Sequence, residues 1–299
     1  MKNIEQLSKK FQKDGYVILR GFLQVEAINH LLNISNTSLE KPSTNYGSGF
    51  ERLRYDVGNE SSFLLDLIQD SKFGGVIREI TDQDLLYTQG LAFELRKEKS
   101  EGFPWHVGTQ SFGFQRKEDF GCTMWIPLTP INKDKQRGGM KYVSKRKFSG
   151  EFIYDYINLL PEHLEAIRQD GKNVDFGDFY SLKNDILNSP KIKDLLDYYA
   201  EEDSFEVGDV ILFDKYTLHR SVRLETGPLE SRTAFAMRFA SRNSVYDKCR
   251  ALNLEYPKVA FDYAGSSSFN IDVCQANGEA ITSSPMFRKT LDRRLIVGS

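Results

Sequence analysis

His106 stands in the stretch PWHVGTQSFGF, Pro104 to Phe114. A histidine followed two positions later by a carboxylate commonly opens a facial metal site, in which a second imidazole completes the ligand set. Position 108 is glycine, which has no ligand atom. The stretch therefore reads as a metal strand with one ligand missing, as a site of another kind, or as no site. The chain has only four histidines, so the candidates are few. His30, in VEAINHLLNI, and His163, in LPEHLEAIRQD, fall in helical patterns and are expected to be ordinary helix residues. His106 and His219 fall in strand-like texture, and as neutral imidazoles on different strands they can form two corners of a metal site.

The residues around these two histidines add to the case. The run FEVGDVILFDKYTLHRS enters a strand through Gly208 and Asp209 and presents His219 at its far end. Thirteen residues later comes Arg232, in SRTAFAMRFASR. Arg232, Ala234, Ala236, Arg238, Ala240 and Arg242 share one strand parity. Phe235, Met237 and Phe239 occupy the other, as expected of a packed central strand. An arginine directed into a packed interior must meet an anion, and a dicarboxylate cosubstrate held by the guanidinium fork would supply one. In CTMWIPL, Thr123 and Trp125 also share a face, where a hydroxyl and an indole N–H are two more donors for the same carboxylate.

His106, the GD…F…H run to His219, Arg232, and GGMKYVSKRKFSG together resemble the phytanoyl-CoA dioxygenase family of Fe(II)/2-oxoglutarate oxygenases, over roughly residues 11–243. That resemblance implies His106 and His219 as iron ligands and Arg232 as the anchor of 2-oxoglutarate. The family's aspartate is absent, because Gly108 stands in its place. Its aliphatic halogenase branch, which includes the syringomycin-type enzymes and the halogenase domains of curacin- and jamaicamide-type polyketide synthases, carries Ala or Gly there. RTAFAMRFASR and the Thr123-x-Trp125 pair resemble that branch as well. The resemblance thus implies Thr123, Trp125 and Arg232 around 2-oxoglutarate, a halide at the position Gly108 leaves open, and Arg238 in the halide's outer shell. The implied cofactors are Fe(II), 2-oxoglutarate, chloride and O2. The implied reaction is chlorination of an unactivated carbon by hydrogen abstraction and chlorine rebound, in natural-product biosynthesis. The implied partner is an acyl carrier protein bearing the tethered substrate. Basic runs at 133–137, 145–147 and 288–294 are candidate docking points, and Arg238 or Arg242 could instead bind a substrate carboxylate. A hydroxylase or desaturase of the same family, with Asp214 or Asp119 near the open position, and a non-catalytic module with a decayed site stay open as alternatives. The parity of Asp214 sets it on the strand face opposite His219.

These residues need a scaffold that brings distant strands together. A chain of 299 residues with 40% hydrophobic and 12% aromatic content can bury a large core. A net charge of −2 argues against general nucleic-acid binding. No apolar run has the length of a transmembrane helix, and the first residues lack a signal peptide's apolar centre. Three widely spaced cysteines suggest neither a disulfide framework nor a zinc site, which points to a cytoplasmic protein.

Periodicity predicts helices over 4–13, 25–39 and 61–71. Strands are predicted at 16–22, in LLYTQGLAFELR, FPWHVGTQSFGF and FGCTMWIPLTPI, and again from Ser204 to Arg242. Residues 151–202 read as a charged helical insert, a candidate lid in which Tyr154, Tyr156 and the 176–180 region are singled out. The last 45 or so residues read as irregular, with a turn at 265–268. The expected architecture is a single domain over 1–299, mainly β with α. It is a double-stranded β-helix (jelly-roll, cupin-like) with a core at about 85–243, flanking helices and the insert.

Overall fold

The alternation in SRTAFAMRFAS builds the central strand of the molecule, β9. The computed structural model describes residues 2–41, 49–261 and 268–298. Within these the strands are β1 (Tyr16–Leu19), β2 (Arg52–Tyr55), β3 (Leu85–Arg96), β4 (Gly121–Pro127), β5 (Met140–Val143), β6 (Glu201–Glu202), β7 (Val210–Asp214), β8 (Leu218–Ser221), β9 (Ser231–Ser241) and β10 (Leu295–Ile296). The major sheet has the order β1-β7-β4-β9-β3-β10, with β2 also paired to β3. The minor sheet has the order β6-β5-β8. All pairings are antiparallel.

Register decides which side chains face inward. Arg238 lies opposite Thr123 on β4 and Gln89 on β3, and Ala236 lies opposite Trp125 and Leu91. Thr123 in turn pairs with Phe213 on β7. This face of the major sheet looks toward the minor sheet, and its apolar members pack with Met140, Tyr142 and Leu224. The opposite face carries Phe235, Met237, Phe239, Met124 and Leu212, packed with Phe11, Ile28, Leu31 and Leu65 of the N-terminal helices. Burying each of these large side chains contributes about 2 kcal/mol. A bulge in β3 between Tyr87 and Gln89 inserts Thr88, whose hydroxyl donates to the Arg238 carbonyl at 3.1 Å. By shifting the parity at that point, the bulge keeps Gln89 beside Arg238 on the inner face.

The helical insert is observed as Glu151–Gln169, Phe176–Asn188 and Pro190–Tyr199. Asp175 and Asp178 form a capping box at the start of the second helix, and Pro190 opens the third where its missing N–H costs nothing. Two expectations are corrected. FPWHVGTQSFGF is not a strand, because it makes one isolated bridge at His106 and then turns into a short helix, Thr109–Phe112. The Gly108 N–H donates to the Lys215 carbonyl at 2.8 Å, and this draws the chain off the ladder. The C-terminal region is not wholly irregular either. It holds the helices Lys248–Leu254, Tyr256–Phe261, Phe269–Asp272 and Leu291–Arg294, and β10 extends the major sheet. Of the expected turn at 265–268, residues 265–267 lie outside the described residues. Among the described residues no helix is long and apolar enough to cross a membrane.

The Gly208–Asp209 turn is as expected, with Gly208 at φ +96°. The buried Asp209 carboxylate accepts from the Gly21 N–H at 2.7 Å, the Glu206 N–H at 3.0 Å and Arg20 at 2.8 Å. It thereby joins the end of β1 to the start of β7. An Asp209→Ala substitution removes the acceptor shared by the Gly21 and Glu206 N–H groups and by Arg20, and is expected to lower the unfolding free energy by about 1–2 kcal/mol. Denaturant titration would read this as a lower midpoint at unchanged slope.

Candidate metal and cosubstrate site

His106 and His219 face each other across an isolated antiparallel bridge. Each backbone N–H donates to the other's carbonyl at 3.0 Å. Side chains of directly opposed residues point the same way, and the two ring centroids lie 4.1 Å apart. His219 belongs to β8, which β5 holds through the Tyr142–His219 and Val143–Leu218 pairs. The turn leading into β8 is tied by Asp214, which accepts from the Tyr216 N–H and the Thr217 hydroxyl, both at 3.0 Å. Asp214 also accepts from Lys145 at 3.2 Å. Asp214 pairs with Cys122, on the face opposite Thr123 and Phe213, so it braces the turn and does not reach the histidines. Asp119 accepts the Val245 N–H at 2.8 Å. Neither acid fills the place of the missing carboxylate.

Both imidazoles have a defined tautomer. His106 Nδ1 lies 2.7 Å from the Pro104 carbonyl, and His219 Nδ1 lies 2.8 Å from the Thr217 carbonyl. A carbonyl only accepts, so each Nδ1 carries the proton and each Nε2 keeps its lone pair. Such anchoring of the distal nitrogen is how a protein orients a metal-binding histidine. Burial, reinforced by His219, holds His106 well below the usual imidazole range. Burial likewise pushes His219 down to about 4. Both rings are therefore neutral at pH 7, each with its Nε2 lone pair available to a metal.

The pair lines a cavity of about 60 Å³ with Gly108, Thr123, Trp125, Arg232 and Arg238. All seven residues singled out from the sequence therefore meet at one place. Arg232 is 1% exposed, and its guanidinium rests over the rings of Phe93 and Trp125, 5.5 Å from each centroid. Among the described residues none of its three guanidinium nitrogens has a hydrogen-bond partner, and burial pushes its pKa down to about 9. A buried cation with five unanswered N–H donors requires an anion. The oxygen-rich end of a dicarboxylate fits that need, and the two Nε2 lone pairs fit a divalent metal, so the residues present suit an iron ion and 2-oxoglutarate together.

Gly108 has φ −70°, a value open to any residue, so its reason is space. A Cβ built there would lie 2.9 Å from Phe112 Cδ2 and 3.0 Å from the Lys215 carbonyl oxygen. Arg238 donates to the Gln89 side-chain carbonyl, and Gln89 donates to Asp56 at 2.7 Å. Arg242 is exposed and takes no part, contrary to one of the roles considered for it.

Several contributors escaped the sequence. Phe213 packs on His219 at 4.5 Å and Phe103 on His106 at 5.1 Å. The parity of VILFD could have flagged Phe213, whereas Phe103 lies in a loop with no periodic signal. Tyr154 is a bolt and not a lid residue. It is 1% exposed, and its hydroxyl donates to the Phe112 and Gln115 carbonyls at 2.6 and 3.2 Å, which fixes the helix behind Gly108. Tyr156 donates to the Leu182 carbonyl at 3.0 Å, inside the insert. Part of the basic runs is paired within the chain, while Lys133, Lys135, Arg288 and Lys289 are exposed. Arg137 pairs with Glu202 and Glu225, Arg146 with Asp14, and Arg293 with Asp66, while Arg294 is buried.

No protein-family model matches the chain, and no curated protein matches its sequence. Solved structures do match. The non-heme α-ketoglutarate-dependent epimerase SnoN from nogalamycin biosynthesis aligns with a TM-score of 0.59 at 15% identity, covering 93% of this chain and 92% of that one. The carbocyclase SnoK from the same biosynthesis, also non-heme and α-ketoglutarate-dependent, gives 0.56 at 14% identity, over 81% of this chain and 85% of that one. EctD from S. alaskensis gives 0.54 at 14% identity, over 82% and 79%. SnoN has been solved with Fe3+ and α-ketoglutarate, and EctD with Fe or with 2-oxoglutarate. At these identities the likeness carries the fold. The chain is a mixed α/β protein with an antiparallel core, consistent with the double-stranded β-helix of those structures.

Proposed function

We propose that this protein is an Fe(II)/2-oxoglutarate-dependent halogenase that chlorinates an unactivated aliphatic carbon. One observation carries the proposal: Gly108 stands where a His-x-Asp site would place its carboxylate, and among the described residues no other acid replaces it. Among the described residues no three His, Cys, Asp or Glu side chains gather as a metal site. In this proposal His106 and His219 hold iron through Nε2, and Arg232 holds the distal carboxylate of 2-oxoglutarate with Thr123 and Trp125. When bound, the iron and cosubstrate supply O2 activation coupled to decarboxylation, with hydrogen abstraction from the substrate and return of chlorine to the same carbon. The balance is R–H, chloride, H+, 2-oxoglutarate and O2 in, and R–Cl, succinate, CO2 and water out.

The chain's own residues supply the electrostatics. Two neutral imidazoles bring no charge to a divalent metal, so two further anions are welcome, the cosubstrate and a halide. Arg238 lines the same cavity, and its field already acts on His106. It favours a small anion beside Gly108. Phe103, Phe213 and Trp125 keep the cavity apolar elsewhere and exclude water that would compete with the halide. An acyl group tethered to a carrier protein remains the proposed form of the substrate. It is supported by the open outer cleft.

The test is an anaerobic titration of 2-oxoglutarate into the Fe(II) protein, with and without chloride, followed at the visible iron-to-cosubstrate charge-transfer band. The band is expected to form, and chloride is expected to tighten binding or shift the band. A band indifferent to chloride would turn the proposal toward a hydroxylase or desaturase. No band under either condition would leave a binding module.

A further inference from the structure

The inner cavity opens into a larger cleft of about 680 Å³, lined in part by the insert helix Phe176–Asn188. His106, Ser111, Ser221 and Arg238 border both spaces, so a molecule in the cleft reaches the histidine pair. The charge lining the cleft is one-sided: Lys183, Lys193, Arg220 and Arg238 against the single carboxylate of Glu101. Glu101 pairs with Arg223 at 3.4 Å, away from these cations. Arg220 is answered by Asp197 at 2.7 Å, and Arg238 is held by Gln89.

Lys183 differs from the other cations. Its Nζ donates to the neutral Oε1 of Gln110 at 2.5 Å, and among the described residues no carboxylate comes within ion-pair distance of it. Glu255 acts on it only from farther off and accepts from Asn270 at 3.0 Å. An ammonium has three donors, and this one spends a single bond on an amide while bordering an open cleft. The side chain keeps part of its surface open to the cleft, yet burial pushes its ammonium down to about 8. A bound anion would reverse that shift. Gln110 stands two residues beyond Gly108, so the Lys183–Gln110 contact ties the insert to the segment that carries the open ligand position.

We propose that Lys183 anchors an anionic group, a carboxylate or a phosphate, of the molecule transformed at the histidine pair. The primary substrate is then an anion gripped by the insert, with its reacting carbon extending past Phe103 toward His106. This rests on the proposal that His106 and His219 hold the reactive centre. The cosubstrate's anion site at Arg232 is separate from it. Lys183 borders the cleft but not the inner cavity, and Arg232 borders the inner cavity but not the cleft.

The experiment needs no iron, so its failure is distinguishable from failure of the halogenase proposal. Hexyl phosphate and hexanoate are titrated calorimetrically into metal-free wild-type protein and into Lys183→Met, Lys183→Arg and Arg232→Met. Thermal melts check that each variant folds. At least one probe is expected to bind the wild type at a site that is at least about tenfold weaker in Lys183→Met, largely kept in Lys183→Arg and still present in Arg232→Met, which removes only the separate inner anion site. Whichever probe binds more tightly identifies the anion as phosphate or carboxylate. No binding to wild type, binding indifferent to Lys183→Met, or loss only in Arg232→Met would each overturn the proposal.

Discussion

Replacing Arg232 by methionine is expected to abolish 2-oxoglutarate binding while making the metal-free protein more stable. The two effects share one cause. Arg232 is 1% exposed, and among the described residues no nitrogen of its guanidinium is hydrogen-bonded. Among the described residues its compensation is the faces of Phe93 and Trp125, worth about 1–2 kcal/mol together. Holding a desolvated cation without an anion costs several kcal/mol. Methionine keeps the apolar stem without the charged fork, and removing the desolvated charge outweighs the space it leaves, so the metal-free variant is expected to gain about 1–3 kcal/mol. The cosubstrate meanwhile loses a bidentate charge-assisted pair, about 3 kcal/mol or more, and its affinity falls by about a hundredfold or beyond. Differential melting with and without 2-oxoglutarate reads both quantities. Wild type should gain stability on adding the cosubstrate with a divalent metal, and Arg232→Met should start higher and not respond. A metal-free variant that melts below wild type would show that Arg232 has a structural partner after all.

That coupling explains why so much of this site was visible in the sequence. Arg232, Arg238, Thr123 and Trp125 sit on strands of strict parity, and their inward direction follows from two-residue periodicity once the phenylalanines are assigned to the core. His219 was readable for a similar reason, as the end of a strand entered by a Gly-Asp turn. The segment around His106 was misread because its residues are β-like while its shape is set by one long-range contact, Gly108 N–H to the Lys215 carbonyl. No local pattern encodes that contact. Tyr154 was misassigned because helical periodicity reports that a face is buried and not against what. Lys183 and Phe103 border the open cleft from the insert and from a loop, where neither charge nor aromatic character points to a site until the chain is folded.

Under the proposed halogenase function, Gly108→Asp is expected to lose chlorination, and it is expected not to gain a third ligand unless Phe112 is also made smaller. The charge side of the prediction is simple. A carboxylate on iron takes the coordination position and the negative charge that a halide would otherwise supply, so chlorinated product should fall below detection. The steric side comes from the fold. A Cβ at 108 approaches Phe112 Cδ2 to 2.9 Å, the Lys215 carbonyl oxygen to 3.0 Å and Lys215 Cα to 3.2 Å. Two of these atoms are backbone in the turn that Asp214 and Thr217 lock, so that side does not yield. Phe112 is fully buried, and the Tyr154 hydroxyl holds its carbonyl. Overpacking of this kind costs about 1–3 kcal/mol. Gly108→Asp alone should therefore melt below wild type and bind Fe(II) no more tightly. Adding Phe112→Leu should recover part of the stability and raise Fe(II) affinity as the carboxylate swings inward, with hydroxylation the expected activity. Gly108→Ala separates the two causes. It adds the clash without the charge, so it should lose stability yet keep chlorination as its chemistry. Chlorination retained in Gly108→Asp with Phe112→Leu would refute the account of the open ligand position. Unaltered stability in Gly108→Ala would refute the account of the space around it.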